Sequence, residues 1–317
     1  MQRSMESCQL KAETEVAAAA AADSEGSDDF QDAQEDLSPR RRLDRQFSPE
    51  KEASEAERDS IVQSESWKRQ RKHVFVLSEA GKPIFSIHGE EDDLASIMAV
   101  MQAMVSYVID MGDVLKSFNA GPDRQIVFLN KGPLILVAVS RGTESVSQLI
   151  VQLTYVYNQI LSLLTLTQLT KIFEQKKGFD LRRMLAGSER LIYSLTRAMD
   201  SDPAYMLSSV RVLPLNPATR DSIAKTIIAE CSKVKNVVFG ILLAENQLVT
   251  LVRMKKYYIH PADLHLIFNI VNSSESFKDS EAWMPICLPK FDSRSVSQLD
   301  LKNDRGETHR SISVFTF

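Results

Sequence analysis

Three cysteines, Cys8, Cys231 and Cys287, are all that the 317 residues carry. They are odd in number and far apart, which argues against a disulfide framework and points to a reducing compartment. Glycine is sparse as well, with 11 residues and no cluster. There is accordingly no phosphate-binding P-loop and no glycine-rich dinucleotide fingerprint. A Gly-x-Ser-x-Gly nucleophile elbow is missing, and no Cys-x-x-Cys pair offers a zinc framework. No stretch approaches the ~18 apolar residues of a membrane-crossing helix. The alanine run Ala17–Ala22 is short and flanked by Glu13, Glu15, Asp23 and Glu25. A signal peptide has a basic start and a longer apolar stretch. These absences point away from an enzyme and towards a cytoplasmic protein that meets membranes only peripherally. No cofactor and no metal is expected.

What is present is unevenly distributed. Residues 1–66 hold 8 Lys+Arg against 17 Asp+Glu, a net of −9, while the remainder holds 30 against 25, a net of +5. The overall −4 thus hides an acidic head on a mildly basic body. Neither part concentrates Lys and Arg as a nucleic-acid binder does, so no nucleic acid is expected as a partner. The head is rich in Ser, Glu, Asp and Ala, and it cannot bury enough apolar surface to offset its ordering entropy. It is expected to be disordered. Two serines in it sit in kinase-like contexts: Ser38 in Ser38-Pro39-Arg40-Arg41, and Ser48 with Arg45 three residues before it and Pro49 after it. Both are candidate phosphorylation sites; otherwise the head is a solubilising tail.

Folded structure is expected from Trp67. His73–Leu77 and Pro83–Ile87, joined by Glu79–Lys82, have the composition of a β-hairpin. Glu90–Asp93 offers an N-cap and first-turn acids for a helix that runs to about Met111 and stops at Gly112. Strands follow at Val114–Asn119, Gln125–Asn130 and Pro133–Ser140, the last two joined by a tight Asn130–Gly132 turn. A long helix from Glu144 to about Thr167 carries Val146, Leu149, Ile150, Leu153, Tyr157, Ile160 and Leu164 at helical spacing. A further helix spans Gln168–Lys177. The order ββαβββαα fits an α/β (α+β type) domain. Its five-stranded antiparallel sheet carries one helix on one face and the late helices on the other.

After Gly187, helices are expected at Ser188–Met199 and Ala218–Ser232. A second hairpin follows, Asn236–Ala244 and Gln247–Met254, then a helix opened by Pro261 to about Val271, and a strand at Trp283–Leu288. This repeats the opening of the first unit and then stops short. Two strands and the covering helices are missing, so the second unit is expected to be incomplete and marginal alone. Residues 292–317 are polar, lack a sustained period and are expected to be disordered.

Few residues suggest chemistry. His260 and His265 are five apart, which puts them on different faces of a helix, unlike zinc-binding pairs. His73, His88 and His309 are isolated and expected at surfaces or strand edges. The first helix is more informative. On a 100° wheel Leu94, Ile97, Met98, Met101, Val105 and Val108 form one apolar stripe, suited to the sheet. Val100, Met104, Tyr107 and Met111 form a second stripe beside it. Either neighbouring strands or a loop cover that second stripe, or it is a protein–protein interface, for which flexible methionines and a tyrosine are suited.

Lys72–Ser86, Gln159–Leu164, Leu181–Arg190, His260–Asn269 and Glu281–Phe291 resemble, in this order, segments of the vacuolar fusion protein family named for monensin sensitivity, the MON family. The resemblance spans residues 67–291. It implies longin domains: a first at residues 67–187, and linker helices with a partial second at 188–291. It implies a heterodimer with a CCZ-type longin subunit and joint exchange-factor action on the late-endosomal Rab GTPase, at endosomal and lysosomal membranes, in endosome maturation and autophagy. It supplies no turnover residues. Beyond Phe291 the chain diverges from the family pattern, as a truncated or alternative form would. The competing reading is a longin-type adaptor or scaffold without exchange activity.

Overall fold

Lys72–Ser78 (β1) alternates its apolar side chains, and all seven residues are buried. Both faces of this strand are therefore covered, as its near-continuous apolar run requires. Val74 and Val76 point into one core, Phe75 and Leu77 into the other. The computed structural model describes residues 64–234, 237–253, 257–275, 277, 282–291 and 312–314. Ser38, Ser48 and His309 lie outside them.

Pro83–Ser86 (β2) returns antiparallel to β1. The helix Ala95–Asp110 (α1) follows, then Ser117–Asn119 (β3), Gln125–Lys131 (β4) and Leu134–Ser140 (β5). The sheet order is β2-β1-β5-β4-β3, antiparallel throughout. One face packs on α1; the other packs on Val146–Leu163 (α2) and Leu166–Gln175 (α3). This is the five-stranded ββαβββαα architecture expected from the sequence.

Several boundaries differ for physical reasons. β3 begins at Ser117, because Val114 lies exposed in the preceding loop. The β4–β5 turn is Gly132-Pro133 rather than Asn130–Gly132, since Lys131 still pairs with Leu134 and Gly132 takes the positive φ of 67°. The long helix breaks at Leu164, where Thr165 starts a capping box with Gln168, and α2 and α3 meet at 84°. The acids Glu90–Asp93 do not cap α1. Its N-cap is Leu94, without a side-chain bond, and no acid stands in its first turn. Glu91 Oε1 instead accepts from the Ser86 N–H at 3.0 Å. Asp92 pairs with Arg182 at 2.7 Å.

The second half packs more closely than expected. Glu189–Ser201 (α4) lies on α2. Pro217–Cys231 (α5) precedes the hairpin Phe239–Ala244 (β6) and Gln247–Arg253 (β7). Glu245 and Asn246 both take positive φ in the two-residue turn, the backbone that matches strand twist. Helix α5 packs on this hairpin. At Gly240 a Cβ would stand 3.1 Å from Cys231 Sγ and 3.3 Å from Ile227 Cγ2, so the close approach depends on glycine. The hairpin is not left without covering helices.

Pro261–Ser273 (α6) is buried at 11 of its 13 positions. A helix buried all round belongs to a core rather than a surface. Ala262 and Leu266 enter the α2 core of the first unit; Leu264, Ile267, Phe268, Ile270 and Val271 build a third core with the β6–β7 hairpin. Asn269 Nδ2 donates to Gln159 Oε1 and to the Leu191 carbonyl, both at 2.8 Å. The second unit is thus bonded into the first instead of standing alone. The strand expected at Trp283–Leu288 is Ala282–Met284 (β8), shorter and beginning one residue earlier. It pairs with Ile312–Val314 (β9), a strand inside the segment expected to be disordered.

Candidate partner interface

Five strands at about 4.8 Å spacing make a face roughly 19 Å wide, and one helix with its side chains is only about 10–12 Å across. α1 therefore covers part of its face and leaves the rest open. It lies over the β1–β5 centre. Leu94, Met98, Met101 and Val105 are buried there against Phe75, Leu77, Ile135 and Val137. This is the sheet-facing stripe that the wheel identified, with Ile97 and Val108 at its half-buried margins.

The uncovered part of the face becomes a groove. Its volume is about 310 Å³, and it is lined by Ser96, Ile97, Val100, Met101, Met104, Phe118, Ile126 and Phe128. Phe118 and Phe128 stack with their centroids 5.8 Å apart, and Phe118 pairs with Ile126 across β3 and β4. Ile97, Met101, Phe118, Ile126 and Phe128 were not singled out from the sequence as site residues. The signal was there in the alternation of Ile126 and Phe128 on one strand, but which face α1 leaves open depends on sheet width.

The second stripe lies on the solvent side of this groove. Val100 is 60% exposed, Met104 37%, Tyr107 67% and Met111 69%. Among the described residues no neighbouring strand or loop covers them. Ile109, on the other side of the helix, and Val114, in the loop after it, are exposed as well. Gly112, at φ 80°, turns the chain there, and the Asp113 N–H reaches back to the Val108 carbonyl at 3.1 Å. Four large exposed apolar side chains in a row along one helix face are a candidate interaction surface.

The start of α1 is anchored by side chains. The Trp67 indole N–H donates to the His88 carbonyl at 3.2 Å. Arg182 forks between Asp92 and Asp180, at 2.7 and 3.0 Å. The Asp180 carboxyl is held below its ordinary value, first by the hydrogen bond from Arg182. His73 is not at a surface: it is buried, 4.0 Å from the Trp67 ring. Burial, followed by the neighbouring His88, pushes its pKa down to about 4, so it is neutral. Elsewhere His260 caps α6 through Nδ1, and His265 stacks on Tyr205 at 3.9 Å. Among the described residues no three His, Cys, Asp or Glu converge as a metal site would require.

Comparison with known proteins adds a further finding. Residues 72–195 match the model of the first longin domain of FUZ, MON1 and HPS1, and residues 235–297 match that of the second. The chain is 49% identical over 232 residues to vacuolar fusion protein MON1 homolog A of Gallus gallus, covering 73% of this chain and 42% of that protein. To human MON1 homolog A it is 47% identical over 235 residues, 74% of this chain and 36% of that protein. To human MON1 homolog B it is 41% identical over 232 residues, 72% and 42% respectively. The chain spans less than half the length of these relatives.

Proposed function

This chain belongs to the MON1 family of longin proteins, and from that premise we propose that it is a regulatory subunit, without a turnover site, of a guanine-nucleotide exchange factor. In this reading its first longin domain pairs with a CCZ-type longin subunit. The two together grip the late-endosomal Rab GTPase at endosomal and lysosomal membranes, to which the pair is recruited peripherally. The setting is endosome maturation, autophagy and vacuole or lysosome fusion. Exchange by such a pair needs no bond chemistry. It requires only that the pair bind the nucleotide-free GTPase better than the nucleotide-bound form, so that the switches holding nucleotide and magnesium are displaced.

The observation that carries this reading is the bare stripe Val100, Met104, Tyr107 and Met111 on α1. Fully burying such side chains contributes about 1.5–3 kcal/mol each. These four are already partly covered, so a partner would gain roughly half of that total, on the order of 3–6 kcal/mol. That is a sizeable share of a micromolar association, whose free energy is about −8 kcal/mol. The stripe is also carried on a helix whose other side is locked into the core, so little ordering cost attaches to its use.

Tyr107→Asp tests it. The residue is exposed, so folding stability should change by less than about 0.5 kcal/mol. Binding to the CCZ-type subunit should fall by about tenfold or more, with nucleotide release from the Rab falling in step. Wild-type affinity and exchange in the variant would refute the stripe as the interface. If the wild-type pair forms but does not accelerate nucleotide release, the chain is a longin-type scaffold instead.

A further inference from the structure

Asp263 stands in the first turn of α6 and is fully buried. Its Oδ1 accepts a hydrogen bond from the Lys290 N–H at 3.1 Å, and its Oδ2 is a buried atom that has no partner among the described residues. A carboxylate that keeps its charge away from water is ordinarily held by two or three donors or by a cation. Here one backbone donor is in place, so the site as built suits the neutral acid. The groups around it do not supply more. Tyr155 of α2 feels the Asp263 charge, but its hydroxyl is directed to the Tyr205 carbonyl, at 3.5 Å. The Cys287 thiol is pushed up by burial first and by Asp263 second. The Lys290 side chain is exposed. His260 caps α6 and His265 bonds to the Ser209 carbonyl; burial lowers the pKa of both. Asp202 acts on Tyr205 and His265.

The bond to Asp263 comes from a strap, residues 285–291, that follows β8. Two of its backbone N–H groups reach the rest of the molecule: Cys287 donates to the Ser162 carbonyl of α2 at 3.0 Å, and Lys290 to Asp263. Ile286 and Leu288 pack on the third core, and Phe291 stands edge-on to Phe239 of β6 with centroids 5.8 Å apart. Pro285 and Pro289 have no N–H to give. Pro285 and Lys290 are exposed, whereas α6 is buried at 11 of its 13 positions. The strap is therefore the part that gives way when the site loses its proton. Lifting it breaks the Lys290 bond and lets water reach both carboxyl oxygens of Asp263, while α6 keeps its place in two cores.

We propose that residues 285–291 form a proton-controlled latch, closed over the start of α6 while the Asp263 carboxyl is neutral and lifted more often once it is ionised. Burial, the largest influence, raises the Asp263 pKa from 3.8 to about 6 in the closed state, against the Lys290 amide and ammonium, which lower it. Water restores the ordinary value in the lifted state. The closed latch therefore holds the proton more tightly. Its advantage is full below about pH 4, shrinks as pH rises from about 4 to about 6, and stays at the reduced level above that. Two pH units correspond to about a hundredfold change in the ratio of closed to lifted latch. Lifting uncovers Ile286, Leu288 and the ring of Phe239, so the device sets how often the third core opens at this end. It is separate from the α1 stripe and does not depend on the exchange-factor reading.

Native-state hydrogen exchange on the full chain between about pH 4 and pH 7, corrected for the intrinsic pH dependence of amide exchange, tests the latch. Protection of the Cys287 and Lys290 amides should fall about hundredfold over that range. It should depend little on sub-denaturing urea, because local lifting exposes little surface. The amides of α6 should stay more protected and show the steep urea dependence of global unfolding. Asp263→Asn keeps Oδ1 but cannot ionise, and in it the Cys287 and Lys290 amides should hold the same protection at every pH. Three results would overturn the proposal. One is wild-type protection that does not change with pH. Another is a single rate and urea slope shared by the strap and α6. The third is an equal fall in Asp263→Asn, which would assign the response to His260 or His265.

Discussion

Truncating Asn269 to alanine should destabilise the first longin domain, although the residue lies 110 positions from its bonding partner Gln159. The side chain is 5% exposed, and Gln159 is fully buried. Asn269→Ala removes both Nδ2 bonds and leaves Gln159 Oε1 and the Leu191 carbonyl short of a donor where water does not reach. Each orphaned buried acceptor costs about 1–3 kcal/mol. The Leu191 carbonyl lies within α4 and retains its helical partner, so its share falls at the low end. The expected loss is about 2–4 kcal/mol. In a Trp283→Phe background, Trp67 is the remaining tryptophan and reports on the first unit alone. Urea denaturation followed through Trp67 should show the loss in full. A Trp67 transition within about 0.5 kcal/mol of the parent would mean that α6 unfolds separately, and the shared core would be refuted. The double variant Gln159→Leu/Asn269→Leu should recover part of the loss, because removing both partners leaves fewer orphaned groups.

Two further perturbations follow from side chains already placed. Asp263 is fully buried; the Lys290 N–H donates to its Oδ1 at 3.1 Å, while Oδ2 has no partner. Burial pushes its pKa from 3.8 up to about 6. The folded chain therefore holds this proton to higher pH than the unfolded chain, and stability falls as pH rises through the window from about 4 to 6. Asp263→Asn should gain on the order of 2 kcal/mol over the parent at pH 7 and nothing near pH 4; a gain independent of pH in denaturation curves would contradict this. Thr165→Ala removes one half of the capping box that starts α3. It should cost about 1 kcal/mol and speed hydrogen exchange in Leu166–Gln175, and unchanged exchange there would dismiss the cap as a determinant of the α2–α3 break.

Local patterns were the readable part of this fold. The β1–β2 hairpin, both stripes of α1 and the helical spacing of α2 each depend on neighbours within a few residues. Side-chain identity is enough to place them. Glu90–Asp93 has the chemistry of an N-cap for α1, yet Glu91 is drawn to the Ser86 amide and Asp92 to Arg182, ninety residues on. His73, isolated in the sequence, is expected at a surface or strand edge. It is buried by Trp67 and by the sheet, and neither contact shows as a period. The union of the two units rests on Asn269, an ordinary polar residue until α2 and α4 are placed around it. The groove depends on the mismatch between one helix and five strands, which is a property of the assembled layer and of no single segment.

Val100 and Met104 are at once walls of that groove and members of the exposed stripe. The two surfaces therefore cannot be occupied independently. A guest lodged between α1 and the β3–β4 end would rest on the stiff Val100 and select a rotamer of the flexible Met104, and any partner on the solvent side of α1 would meet that same arrangement. Thermodynamic linkage makes the influence mutual and equal: whatever one occupant does to the affinity of the other, the other does in return. If a partner is seated on α1, a small apolar ligand in the groove changes its affinity through these two shared side chains, Met104 above all.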